Sequence, residues 1–150
     1  MAKHAERVEV AAGLGILLGL LAAFLPWYSY RTTTARVTVD AFRASLLGDV
    51  FFLAVAAAAL LLLIRRGVVS NLLAGHLSER TAMFTVAGST AAAVILQLIF
   101  GAGGGRTLAV GMLFAAFAAA ALAAAAWMLD PQTEHRRTVR EMLEEEELPD

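Results

Sequence analysis

Four stretches of almost uninterrupted apolar sequence, at about residues 8–27, 46–64, 82–100 and 108–129, set the terms on which this chain can fold. At about 1.5 Å of rise per residue, helices of roughly 20 residues cover about 30 Å, the hydrocarbon thickness of a bilayer. A surface helix of a soluble domain needs a polar face, and these runs have none. Inside a bilayer a helix satisfies its own backbone without water, so length and polarity are both accounted for there. The expectation is an all-α membrane protein, a four-transmembrane-helix bundle occupying residues 1–130, followed by a charged tail at 131–150. Composition agrees, with 59% hydrophobic residues and a mean hydropathy of +0.70, against about 45–50% apolar content in soluble domains.

Within the first run Ala11, Gly15, Gly19 and Ala23 recur every four residues, which places them on one helical face. Small residues on a membrane helix let a second backbone approach closely, so that packing replaces a hydrophobic driving force. The fourth run carries a matching stripe of Gly111, Ala115, Ala119 and Ala123. The two stripes are expected to meet within one chain. The first run is too long for the apolar core of a signal peptide and ends in Leu25-Pro26-Trp27 rather than a small-x-small cleavage site, so it reads as a retained span. Trp27, Tyr28 and Tyr30, with Trp127 at the far end of span four, are expected as anchors at the membrane interfaces.

The connections are unequal. In residues 30–45, Thr33, Ala35, Val37 and Val39 alternate with polar residues at a period of two, which predicts a half-buried strand and hence a small extracytoplasmic β-element. A lone strand leaves its backbone unsatisfied, so it pairs with residues 27–31, with another loop or with another chain, and it is a candidate association strand. Phe42 and Leu46 suit a short turn on the bilayer surface. Asp49 suits the first turn of span two, capping free amides and facing the positive helix end, while Arg65-Arg66 closes the other end. Residues 68–77 read as an amphipathic segment in the headgroup region. Ser78 and Glu79 suit the start of span three, and the glycine-rich link before Arg106 makes spans three and four an antiparallel hairpin. Asp130-Pro131 ends span four, and in the tail Val139, Met142 and Leu143 share one face of a helix suited to docking a cytoplasmic partner.

Charge orients the chain. With a cytoplasmic N-terminus, Lys3, Arg7, Arg65, Arg66, Arg80, Arg136, Arg137 and Arg140 lie inside, against Arg31, Arg36, Arg43 and Arg106 outside. Both termini are then cytoplasmic. The near-replacement of lysine by arginine and the heavy use of alanine point to a GC-rich genome, and the expected location is a bacterial cytoplasmic (inner) membrane.

Chemistry-bearing patterns are few. There is no cysteine, which excludes disulfides, thiol nucleophiles and thiolate metal sites. His4, His76 and His135 fall in separate segments without metal-ligand spacing, and the glycine runs lack a phosphate-loop frame. Neither a cofactor nor a metal is expected, and with a net charge of −1 no surface is basic enough for nucleic acid. Glu9 belongs at the inner interface rather than in mid-membrane. The polar cluster at mid-membrane is Thr85, Gly88, Ser89 and Thr90, with Gln97 further along the same helix. Hydroxyls bond back to helix carbonyls and Gln97 bridges to a neighbouring helix, which makes packing the expected role and a polar path the rival.

The order of a glycine-striped first span, Leu25-Pro26-Trp27, a Thr/Val-rich outer segment, Gly48-Asp49 and three further spans resembles a widespread type of small bacterial four-span membrane protein of unassigned function. The layout is also loosely similar to claudin-like tetraspans, whose first outer loop forms a sheet, but it lacks their Trp-Cys-Cys signature. Neither resemblance implies a reaction. The expected function is that of a non-catalytic integral membrane subunit or scaffold, surrounded by membrane lipids and associating with a membrane-protein partner or with itself. The alternative is a small homo-oligomeric channel or transporter whose path follows Thr85, Ser89, Thr90 and Gln97 along span three.

Overall fold

The computed structural model describes residues 2–69, 78–101 and 105–129. The tail with Val139, Met142 and Leu143, the amphipathic segment beyond residue 69, His76 and His135 lie outside the described residues, as does the side chain of His4.

Four long helices form the body: α1 (Ala2–Phe24), α3 (Leu46–Arg65), α4 (Glu79–Gly101) and α5 (Val110–Met128), with a single turn, α2 (Ala41–Ala44), ahead of α3. Each long helix meets the apolar and length requirements of a membrane span. The chain is thus a multi-pass membrane protein of four spans. The helices pack in a ring in chain order, α1 on α3, α3 on α4, α4 on α5 and α5 back on α1. The α1–α5 contact is the most extensive.

Two glycines of α1 explain how closely it is embraced. A Cβ on Gly15 would lie 2.8 Å from Cγ of Leu122 on α5, and one on Gly19 would lie 2.6 Å from Cγ2 of Val55 on α3. The stripe therefore serves two neighbours. Along α5, Gly111, Ala115 and Ala119 are buried, whereas Ala123 faces outward and Leu122 and Ala126 take the core positions instead. A strict four-residue repeat drifts around a helix of 3.6 residues per turn, so the last member of the stripe rotates off the contact face.

One end of the bundle carries a three-stranded antiparallel sheet in the order β2-β1-β3, formed by β1 (Tyr28–Arg31), β2 (Arg36–Val39) and β3 (Thr107–Leu108). The strand expected from the alternation pairs within the chain, with Tyr28 opposite Val39 and Arg31 opposite Arg36. Thr33 and Ala35 belong to the turn rather than the strand. The Thr32 hydroxyl closes that turn, accepting from the Ala35 amide at 3.0 Å and donating to the Ala35 carbonyl at 2.9 Å, which replaces the missing Asn-Gly signal. The sheet is two-faced: Tyr28, Tyr30, Val37, Val39 and Leu108 share one side, and Ser29, Arg31, Arg36, Thr38 and Thr107 the other.

Candidate functional site

Where α1 ends, Leu25-Pro26 turns the chain over the start of α5. The Ala109 amide donates to the Trp27 carbonyl at 2.9 Å, and the Gly111 amide to the Pro26 carbonyl at 2.8 Å. These bonds satisfy amides that a side-chain cap would otherwise serve, and Ala109 supplies none. Close approach is the condition. A Cβ on Gly111 would lie 2.7 Å from the carbonyl oxygens of both Leu25 and Pro26.

Trp27 and Tyr28 follow at once, and both are packed inside the protein rather than facing outward, as the anchor role expected of them would require. Trp27 is 0% exposed, its Nε1 donates to the Ala22 carbonyl at 2.7 Å, and its ring meets Phe51 edge-on at 5.2 Å. Tyr28 donates its hydroxyl to the Gln97 carbonyl at 2.5 Å, tight against Gly101. Burial pushes the Tyr28 phenol above its ordinary range, an effect offset in part by the Gln97 bond and the charge of Arg106. Tyr30 is half-buried, whereas Trp127 is 79% exposed on α5. Aromatic type and position in the run were alike for the two tryptophans. The chain's bend at Pro26 separates them.

Gln97 is the crossing point of this end, since its side-chain Oε1 also accepts from the Ser45 hydroxyl at 2.6 Å. Ser45 is the N-cap of α3, accepting from the Leu47 amide at 3.2 Å. Side-chain capping thus falls to Ser45 rather than to Asp49, which stands in the first turn of α3 as expected but is not its cap. The sequence signal for Ser45 was a serine before an apolar run, obscured by the stronger pull of a carboxylate.

The remaining members of the expected polar path point in different directions. Thr90 is fully buried and its hydroxyl donates to the Val86 carbonyl at 2.8 Å. Thr85 is exposed and donates to the Thr81 carbonyl at 2.9 Å, Ser89 is half-buried, and Gly88 is exposed with open space where a Cβ would stand. Among the described residues, Thr90 and Gln97 are the buried polar residues of the spans, set in a core of Phe51, Val55, Met83, Met112 and Leu122. The four path residues do not line one continuous surface within this chain.

At the opposite end, Glu9 of α1 meets both arginines that close α3, at 3.9 Å from Arg65 and 3.1 Å from Arg66, and Arg65 reaches Glu79 of α4 at 2.6 Å. This cluster ties three helices together, and residue spacing alone held no trace of it.

On the polar face of the sheet a directed chain of hydrogen bonds crosses all three strands. The Thr107 hydroxyl donates to the Ser29 carbonyl at 3.0 Å, so the Ser29 hydroxyl, 2.8 Å away, donates to Thr107 Oγ1 and accepts in turn from Arg36 Nη2 at 3.1 Å. A groove of about 650 Å³ opens over it, lined by Arg31, Thr33, Thr34 and Arg36 among others. Among the described residues no group of three or more histidines or carboxylates is placed to hold a metal ion.

Comparisons with protein-family profiles, with curated proteins and with solved structures find no match to the chain.

Proposed function

We propose that this protein is a non-catalytic integral membrane subunit that associates with a second membrane helix through the outward face of α4. One observation carries the reading: Thr81, Thr85, Gly88 and Ala92 are all exposed along one side of a membrane-length helix, with Gly88 facing open space. Small and hydroxylic residues facing lipid gain little there, and they allow a partner backbone to come close. Gly15, Gly19, Ala23, Gly111, Ala115 and Ala119 of the two stripes are buried inside the bundle, so those positions do not compete for this role. The orientation with both termini cytoplasmic, in a bacterial inner membrane, rests on the arginine and lysine bias.

The structure also makes the test clean. The Cβ introduced by Gly88→Leu meets nothing within 4 Å on this exposed face, so the fold is expected to survive while native-gel migration in mild detergent shifts to a smaller species or a co-purifying membrane protein is lost. Unchanged migration and partner recovery would overturn the reading. A homo-oligomeric channel is favoured by the exposure of Thr85 on this same face, because copies meeting there would bring the hydroxyls to a shared axis. In liposomes that arrangement gives a flux sensitive to Thr85→Val. A subunit without transport gives none.

A further inference from the structure

The polar face of the sheet holds two arginines that no carboxylate among the described residues answers. Arg31 and Arg36 are directly opposite one another across β1 and β2, a placement in which like charges repel and destabilise a strand pair. Among the described residues neither has a carboxylate within 4 Å, and the ion pairs lie at the other end of the bundle. The nearest acidic side chain along the chain, Asp40, is engaged elsewhere, accepting from the Arg43 amide at 3.0 Å as the cap of α2. Arg36 is also held in place, because the Ser29 hydroxyl that accepts from it is itself locked by Thr107. A fixed guanidinium beside a second one, under a groove rimmed by the hydroxyl-bearing Thr32, Thr33 and Thr34, matches the charge and fork geometry of a phosphate group.

The described chain leaves the sheet along α5, whose 19 residues carry the backbone to the opposite end of the bundle, about 28 Å away. The groove lies at the end of the bundle where α1 and α4 finish and α3 and α5 begin, and lipid headgroups border the hydrocarbon core at the ends of membrane spans. The geometry points to Arg31 and Arg36, braced by Ser29 and Thr107, as a binding site for the phosphate headgroup of an anionic phospholipid. This site does not depend on the α4 association surface.

Binding of dihexanoyl phosphatidylglycerol to delipidated protein in a neutral detergent, followed by native mass spectrometry, tests it, with dihexanoyl phosphatidylcholine and inorganic phosphate as comparison probes. Phosphatidylglycerol is expected to bind best, with Arg31→Gln and Arg36→Gln each weakening it about tenfold, in line with loss of one charge-assisted contact. Arg43→Gln, an exposed arginine near the sheet but outside the groove, is expected to stay within about twofold of the parent. A thermal melt gives a second readout. Without lipid, Arg31→Gln should be at least as stable as the parent, because the repulsion is relieved while the Arg36–Ser29 bond is kept, and the parent should gain more than either groove variant on adding phosphatidylglycerol. Parent-like binding by both groove variants, an equal loss in Arg43→Gln, or inorganic phosphate binding as tightly as the lipid would each overturn the assignment.

Discussion

Alanine in place of Gly111 is expected to destabilise the bundle, and the same change at Gly88 to stabilise it slightly. At Gly111 the new methyl would lie 2.7 Å from the carbonyl oxygens of Leu25 and Pro26 and 2.7 Å from Cδ1 of Trp27. None of these atoms is the free end of a flexible side chain, so the bend after α1 has to move away. Overpacking of this kind costs about 1–3 kcal/mol. The same displacement strains the 2.8 Å bond from Gly111 to Pro26, a contribution of about 0.5–1.5 kcal/mol. Against both stands the better helix propensity of alanine, about 1 kcal/mol. The net expectation is a loss of roughly 2 kcal/mol, or about thirtyfold in the unfolding equilibrium. At Gly88 only the propensity gain remains, because the added methyl meets nothing within 4 Å. Trp127→Phe, at an exposed position, leaves the buried Trp27 as a single fluorescent reporter for detergent-denaturation curves. Equal shifts of the same sign for the two alanine variants would refute the packing account.

Other outcomes follow from the same geometry. Because burial raises the Tyr28 phenol above its ordinary value of 10.0, the fold favours the protonated form; its contribution is fully present below about pH 10 and is lost as pH rises through the raised value. Tyr28→Phe should lower stability at neutral pH by about 1 kcal/mol and flatten the alkaline decline, and a decline identical to the parent's would rule out Tyr28 as its source. Ser45→Ala removes both the α3 cap and the bond to Gln97, a loss of about 1–2 kcal/mol. Its double-mutant cycle with Gln97→Leu should show coupling, and strict additivity would count against the shared node. Glu9→Gln leaves Arg65 paired with Glu79 and affects a half-exposed group, so the change should stay under about 1 kcal/mol and shrink with added salt. In the cysteine-free background, a single cysteine at position 36 should label from the periplasmic side and one at position 3 should not; the reverse pattern would invert the proposed orientation.

Number, length and approximate limits of the four helices were determined by the sequence itself, because a bilayer-length apolar run has one way to satisfy its backbone. The same holds for the hairpin partner strand, whose alternation placed Val37 and Val39 on one face. What these residues touch depended on contacts between distant parts of the chain. Gly15 and Gly19 look equivalent along α1, yet one receives Leu122 and the other Val55; Trp27 and Trp127 both close apolar runs, yet one is fully buried and the other faces outward. The two-residue strand β3 carries too little sequence to announce itself, and it exists because β1 offers it an edge. The arginines were legible only as a count on one side of a membrane. Only the register of β1 with β2, and the Ser29–Thr107 lock beneath it, set Arg31 opposite Arg36 and made two scattered charges into a site.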